Sequence, residues 1–130
     1  MRPFFRPFIY ATFVGVAMSN PSFAQEMTSV EWAPFIKAAG VDDQALIEAA
    51  DEVNSEFLSM QPGFISRELV RKSETEYADI IHWRTTADAE SASEKVLNCA
   101  PCGEYFALMD MEASATSGAG FSYYEVLKSW

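Results

Sequence analysis

The sequence predicts an α+β domain in which a four-stranded antiparallel sheet carries two helices on one face, in the order β-α-β-β-α-β. Three observations predict it. The first is a hairpin signature over 61–85: a helix stop at Pro62-Gly63, then two alternating runs rich in β-branched and aromatic residues, Phe64 to Arg71 and Tyr77 to Arg84. The polar tetrapeptide Ser73-Glu74-Thr75-Glu76 joins them. The second is a segment of helical spacing on each side of this hairpin. The third is an alternating stretch near each end of the remaining chain, which supplies the other two strands.

Residues 1–24 stand apart from this plan. Arg2 and Arg6 make a basic start, Phe8 to Met18 is an apolar run too short to span a bilayer, and Ser22-Phe23-Ala24 places small residues three and one before a cleavage point. A secretory signal cut after Ala24 is expected, which leaves 25–130 as one domain in the periplasm or outside the cell. The residue directly after the cut is Gln25 and not Cys, so no lipid anchor and no stable membrane anchor are expected once it is made. Seven of the nine Lys and Arg residues and all nineteen Asp and Glu residues remain, a formal charge of −12. Such a chain repels nucleic acid and anionic membrane surfaces, whose binding rests on a basic face. With 49% of the full sequence apolar, there is enough material for a core.

Taken in order, Val30 to Ala38 alternates Glu31, Ala33, Phe35 and Lys37 against Val30, Trp32, Pro34 and Ile36, the pattern of a strand with two unlike faces. Pro34 has no N–H to donate, so an edge position or a bulge is expected there. Asp42 or Asp43 suits a helix N-cap. From Gln44 to Met60, Leu46, Ala50, Val53 and Phe57 recur at helical spacing, and Glu48, Asp51, Glu52 and Glu56 mostly take the other side.

In the hairpin, a symmetric loop would put Arg67 opposite His82, Glu68 opposite Ile81 and Ser66 opposite Trp83. Ile65, Arg67, Leu69, Ile80, His82 and Arg84 would then share one face, and Phe64, Ser66, Glu68, Val70, Asp79, Ile81 and Trp83 the other. Each face mixes apolar and polar residues. Cover is therefore expected on both, by helices on one side and by something such as a partner subunit's sheet on the other. Thr85 to Asp88 fits a capping box, and the Ala-rich helix it opens runs to about Asn98, burying Ala89, Ala92 and Val96. Beyond Pro101 a further helical turn or two reaches Met111; 112–120 reads as a small-residue loop and 121–130 as the last strand. This element order is the ferredoxin-like, split βαβ arrangement.

The strings PGFISREL, ADIIHWRT and DAESA, followed by Tyr105-Phe106-Ala107-Leu108-Met109, resemble the antibiotic-biosynthesis-monooxygenase-like (ABM) members of the dimeric α/β-barrel superfamily, over about Val30 to Trp130. The resemblance implies a ferredoxin-like monomer whose sheet packs on a second copy to form a barrel, hence a homodimer. It also implies a choice among cofactor-free quinone-forming monooxygenases, haem-degrading oxygenases and members without assigned activity. The Asn, Trp and His set of the haem-degrading branch is not matched, because His82 and Trp83 are adjacent and point to opposite faces of a strand. No cofactor is expected.

Among candidate site residues, His82 is the only histidine, too little for a metal site but suited to a general base near neutral pH. Arg67 and Arg84 are candidates for an anion clamp or for ion pairs. Trp83, Trp32 and Tyr123, with Tyr77 and Tyr124, would wall a pocket for a small apolar or aromatic ligand, or pack a core and a dimer interface. Cys99-Ala100-Pro101-Cys102 spaces two thiols as redox motifs do, but Asn98 precedes it, it interrupts a helix, and Gly103 excludes covalent haem attachment. A structural disulfide is expected in an oxidising compartment, with a redox-active pair, free thiols or metal binding as alternatives. Three functions fit: a small-molecule-binding barrel acting as a cofactor-independent monooxygenase through His82 and Arg67, a non-catalytic dimeric module, and a thiol-disulfide protein using Cys99 and Cys102.

Overall fold

The computed structural model describes residues 28–117 and 120–130. The expected signal and its cleavage point lie outside the described residues. Strands β1 (Ser29–Ile36), β2 (Phe64–Arg71), β3 (Glu76–Trp83) and β4 (Ser122–Glu125) form one sheet in the order β2-β3-β1-β4, every neighbouring pair antiparallel. Helices α1 (Asp43–Glu56), α2 (Thr86–Lys95) and α3 (Ala100–Phe106) meet one face of the sheet in a single core, where Leu46, Val53, Ala89, Ala92 and Tyr105 pack with Phe35, Ile81 and Trp83. The ferredoxin-like order expected from the sequence is the one observed.

Local chemistry explains the helix starts. The Ala45 N–H donates to Asp42 Oδ1 at 2.8 Å, and the Asp88 N–H to Thr85 Oγ1 at 3.0 Å, which satisfies orphan donors at the N-termini of α1 and α2. Gly63 turns the chain into β2 at φ +80°, and the Asp88 carboxylate lies where a Cβ would sit. Helix α1 ends at Glu56, short of the expected Met60. There Phe57 leaves the helical region and a 3-10 turn, Leu58–Met60, brings Leu58 into the core.

The hairpin register differs from the symmetric one by one residue. The Lys72 and Ser73 N–H groups both donate to the Glu76 carbonyl, and Ser73 Oγ accepts from the Thr75 and Glu76 N–H groups, so the turn takes five residues and Arg71 faces Tyr77. Arg67 therefore lies opposite Ile81, Glu68 opposite Ile80 and Ser66 opposite His82, and an irregularity between Phe64 and Ser66 restores Phe64 opposite Trp83. A one-residue slip exchanges faces. Arg67 and Leu69 consequently share the helix-covered face with Asp79, Ile81 and Trp83, while His82 shares the other with Ser66, Glu68 and Ile80.

Two further expectations are revised. Residues 111–116 form a helix, α4 (Met111–Thr116), capped by Asp110, in place of the expected loop. It is pinned to β1, since the Ile36 N–H donates to Ser114 Oγ at 2.9 Å and the Asp110 N–H to the Ile36 carbonyl at 2.8 Å. The last strand covers only Ser122–Glu125 and pairs with β1 from Ser29 to Trp32. Pro34 thus sits in an inner strand beyond the reach of β4, where its missing N–H faces no ladder, so it occupies a local edge.

The face of the sheet away from the helices carries Val30, Trp32, Pro34 and Ile36 of β1, Ile80 and His82 of β3, and Tyr124 of β4. Trp32 is 36% and Tyr124 57% exposed, so this largely apolar face has no cover among the described residues.

Candidate functional site

A cavity of about 430 Å³ lies between the covered face of the sheet and helices α1 to α4. Its wall is mostly apolar, with Phe35, Val53, Ile81, Val96 and Cys102 among its residues, and the exposed side chains of Phe106, Met111 and Phe121 border its mouth. Four ionisable side chains line it, Glu31, Arg67, Asp79 and Tyr105, together with the hydroxyls of Ser93 and Ser114, which are engaged by Tyr123 and by the Asp110 carbonyl.

Three of the four satisfy one another. Arg67 Nε donates to Asp79 Oδ1 at 2.7 Å, Arg67 Nη1 donates to the Ala50 carbonyl at 2.8 Å, and the Tyr105 hydroxyl donates to Asp79 Oδ2 at 2.8 Å. The Arg67 guanidinium also lies 5.1 Å from the centre of the Tyr105 ring. Burial alone would pull Arg67 down, but Asp79 and Tyr105 more than offset it, and the guanidinium stays charged. Burial, with the Asp79 charge added, pushes the Tyr105 phenol well up, so it remains a donor. Arg67, Asp79 and Tyr105 form a closed, electrically neutral unit.

Glu31 is the exception. It is only 6% exposed, and its partner is the indole of Trp83, whose Nε1–H donates to Oε2 at 2.8 Å. Burial raises the Glu31 pKa to about 7; the Trp83 hydrogen bond opposes the rise, Asp79 adds to it and Arg67 reduces it. At neutral pH this carboxyl is therefore poised between its two states, which is the condition for proton transfer in both directions.

The structure divides the residues singled out in the sequence. Arg67 and Trp83 line the cavity. Tyr123 pairs with Glu31 across β4 and β1, packs against the core and shares a 3.2 Å hydrogen bond with Ser93, but does not line the cavity. His82 and Trp32 are on the opposite face, where His82 Nε2 lies 3.1 Å from Glu68 Oε2 and Trp32 borders a second pocket with Pro34 and Val70. The sheet separates His82 from Arg67, so the two do not act on one ligand within a single chain. Cys99 and Cys102 form a disulfide, with the Cys102 N–H donating to Cys99 Sγ at 3.2 Å at the start of α3. Sequence reasoning missed Glu31, Asp79 and Tyr105 as site residues. The signal for Glu31 was its place in the same alternating set as Ala33 and Phe35, a carboxylate on the buried side of a strand.

No family model matches the sequence, and no curated protein matches it. Solved structures do. SnoaB, a cofactor-independent oxygenase from Streptomyces nogalater, superposes with a TM-score of 0.54 at 14% identity, covering 79% of this chain and 95% of that one. The chain has the ABM-like fold. A Nitrosomonas europaea protein assigned as an antibiotic biosynthesis monooxygenase gives a TM-score of 0.55 at 16% identity over 78% of this chain and 91% of its own. A MhuD variant with two manganese protoporphyrin IX molecules bound per active site gives 0.52 at 17% identity, over 78% and 97%. At such identities the likeness is one of fold.

The cavity offers no ligand for haem iron among the described residues. The only histidine lies on the other face of the sheet, Cys102 is in a disulfide, and Tyr105 is held protonated against Asp79. Among the described residues no cluster of three His, Cys, Asp or Glu side chains would hold a metal ion.

Proposed function

We propose that this chain is an exported, homodimeric small-molecule-binding protein of the ABM-like kind that acts as a monooxygenase without a cofactor. The observation that carries this is the apolar cavity of about 430 Å³ with an ionisable carboxyl in its wall. An engineered cavity of about 150 Å³ takes up benzene, so this one has room for two or three fused rings. The reaction is that of a carbon acid. A ligand CH₂ group between electron-withdrawing carbons gives up a proton, and the carbanion passes an electron to dioxygen. The radical pair then closes a C–O bond. The peroxide takes a proton and loses water, so that CH₂ and O₂ become C=O and H₂O. The protein's part is to hold the ligand out of water and to accept and return one proton.

Support for the homodimer comes from the uncovered sheet face. Trp32 and Tyr124 are exposed there, and the buried Nδ1 of His82 has no hydrogen-bond partner among the described residues. A second sheet laid on this face would bury the former and bring polar groups to the latter. Export rests on the sequence pattern of 1–24, and the mass of the protein's N-terminal peptide from a cell-envelope fraction tests it.

The test of activity uses anthrone, a neutral three-ring ketone with an acidic CH₂. Oxygen consumption equal to the anthraquinone formed, with no hydrogen peroxide released, is the expected result. A folded protein that binds anthrone and leaves its rate of oxidation at the background value would be a binding module.

A further inference from the structure

We infer that Glu31, through its Oε1 atom, is the acceptor for an acidic hydrogen of whatever ligand enters the cavity. This rests on the cavity being the ligand site. It does not rest on the ligand's being oxygenated.

The assignment follows from which polar atoms are already committed. Both Asp79 oxygens are taken, Oδ1 by Arg67 and Oδ2 by the Tyr105 hydroxyl. Arg67 has no acceptor, and Tyr105 is itself a donor toward Asp79. His82 is behind the sheet. In Glu31 only Oε2 is engaged, by the Trp83 indole; Oε1 has no hydrogen-bond partner among the described residues, yet it is not among the sealed, unpartnered polar atoms. Because Glu31 lines the cavity, the open side of its carboxyl is the cavity itself. Trp83 is donor-only and one of the most deeply buried side chains, so it fixes the carboxyl's orientation without competing for the proton. The indole is therefore a positioning residue, and Glu31 the one that touches ligand.

The electrostatic surroundings agree. Toward Glu31 stand Asp79 on β3, Arg67 on β2, Tyr123 on β4 and Tyr105 on α3, with Glu90 of α2 acting on Tyr123. Arg67 and Asp79 cancel as a pair, and the Tyr105 and Tyr123 phenols are both pushed up by burial, so neither ionises near neutrality. Glu31 is then the cavity's one variable charge, and its pKa of about 7 makes it switch within the physiological range. The proton balance is direct. A ligand A–H and the Glu31 carboxylate become A⁻ and the neutral acid, and the proton returns to the product peroxide or to the ligand on release.

The test compares two neutral probes of nearly the same shape, 2-naphthol and naphthalene, titrated by fluorescence against the wild type and Glu31→Gln from pH 5.5 to 8.5. Gln keeps the volume and can still accept from Trp83. An O–H to carboxylate bond exceeds an O–H to carboxyl bond by roughly a factor of 10 in affinity. In the wild type the preference for 2-naphthol over naphthalene should therefore rise about tenfold with pH, with a midpoint near 7. In Glu31→Gln it should stay flat. A flat preference in the wild type overturns the assignment even if the variant fails to fold, and so does a rise that survives in a folded Glu31→Gln. Failure of both probes to bind overturns it together with the cavity reading. Absence of anthrone turnover, with the pH-dependent preference intact, overturns the oxygenase reading alone.

Discussion

Asp79→Asn isolates the energetics of the buried unit on which the cavity is built. The Arg67 and Asp79 side chains are 6% and 8% exposed and 2.7 Å apart, so the amide change leaves a guanidinium in the core without a counter-charge, its remaining partners being the neutral amide oxygen, the Ala50 carbonyl and the Tyr105 ring. Breaking such a pair from one side costs about 3–5 kcal/mol, because the surviving charge stays desolvated. For a domain of this size each kcal/mol moves Tm by about 4 °C or more, so a fall of at least about 12 °C is expected. Thermal and urea unfolding of the oxidised protein, followed by circular dichroism, measure it. Replacing both partners, as Arg67→Met with Asp79→Leu, should restore most of the loss, since no charge remains to be compensated. A loss under about 1 kcal/mol for Asp79→Asn, or a double variant as unstable as the sum of its singles, would refute the account of a closed buried unit.

Glu31→Gln should stabilise the protein increasingly with pH. The native pKa is raised from 4.5 to about 7, so between those values the folded state holds a proton that the unfolded state has lost, and wild-type stability falls across the window. The gain of the variant over the wild type should grow by up to about 3 kcal/mol from pH 5 to pH 8, read from urea midpoints at each pH. Gly63→Ala should cost at least about 1 kcal/mol in the same assay, since φ +80° disfavours a side chain and the new methyl meets the Asp88 carboxylate. Trp32→Glu on the uncovered sheet face should convert the proposed dimer to a folded monomer in light scattering, with naphthalene binding retained if the cavity belongs to one chain.

Much of the fold was legible because period and punctuation agree. The capping residues Asp42 and Thr85, the stop at Gly63 and the alternation of β1 each leave a local trace. The β2–β3 register was not legible, because one hydroxyl, Ser73 Oγ, decides between a four- and a five-residue turn and thereby moves Arg67 across the sheet. Helix α4 escaped notice for a related reason. At six residues it is too short to hold a helix by itself, and the element is held by distant partners in β1. The site was half legible: Arg67 and Trp83 were named for their chemistry, whereas Glu31 needed the further knowledge that its face of β1 is buried under helices.

Pro34 borders both the cavity and the second pocket, beside Trp32. Strand β4 stops pairing at Trp32, and Pro34 offers no donor to carry the ladder further. A single absent hydrogen thus marks where the β1–β4 ladder ends, and beyond it the cavity wall passes to Met111, Ser114 and Phe121. An imino acid at this point lets the ladder end beside the cavity wall without leaving a buried donor unpaired.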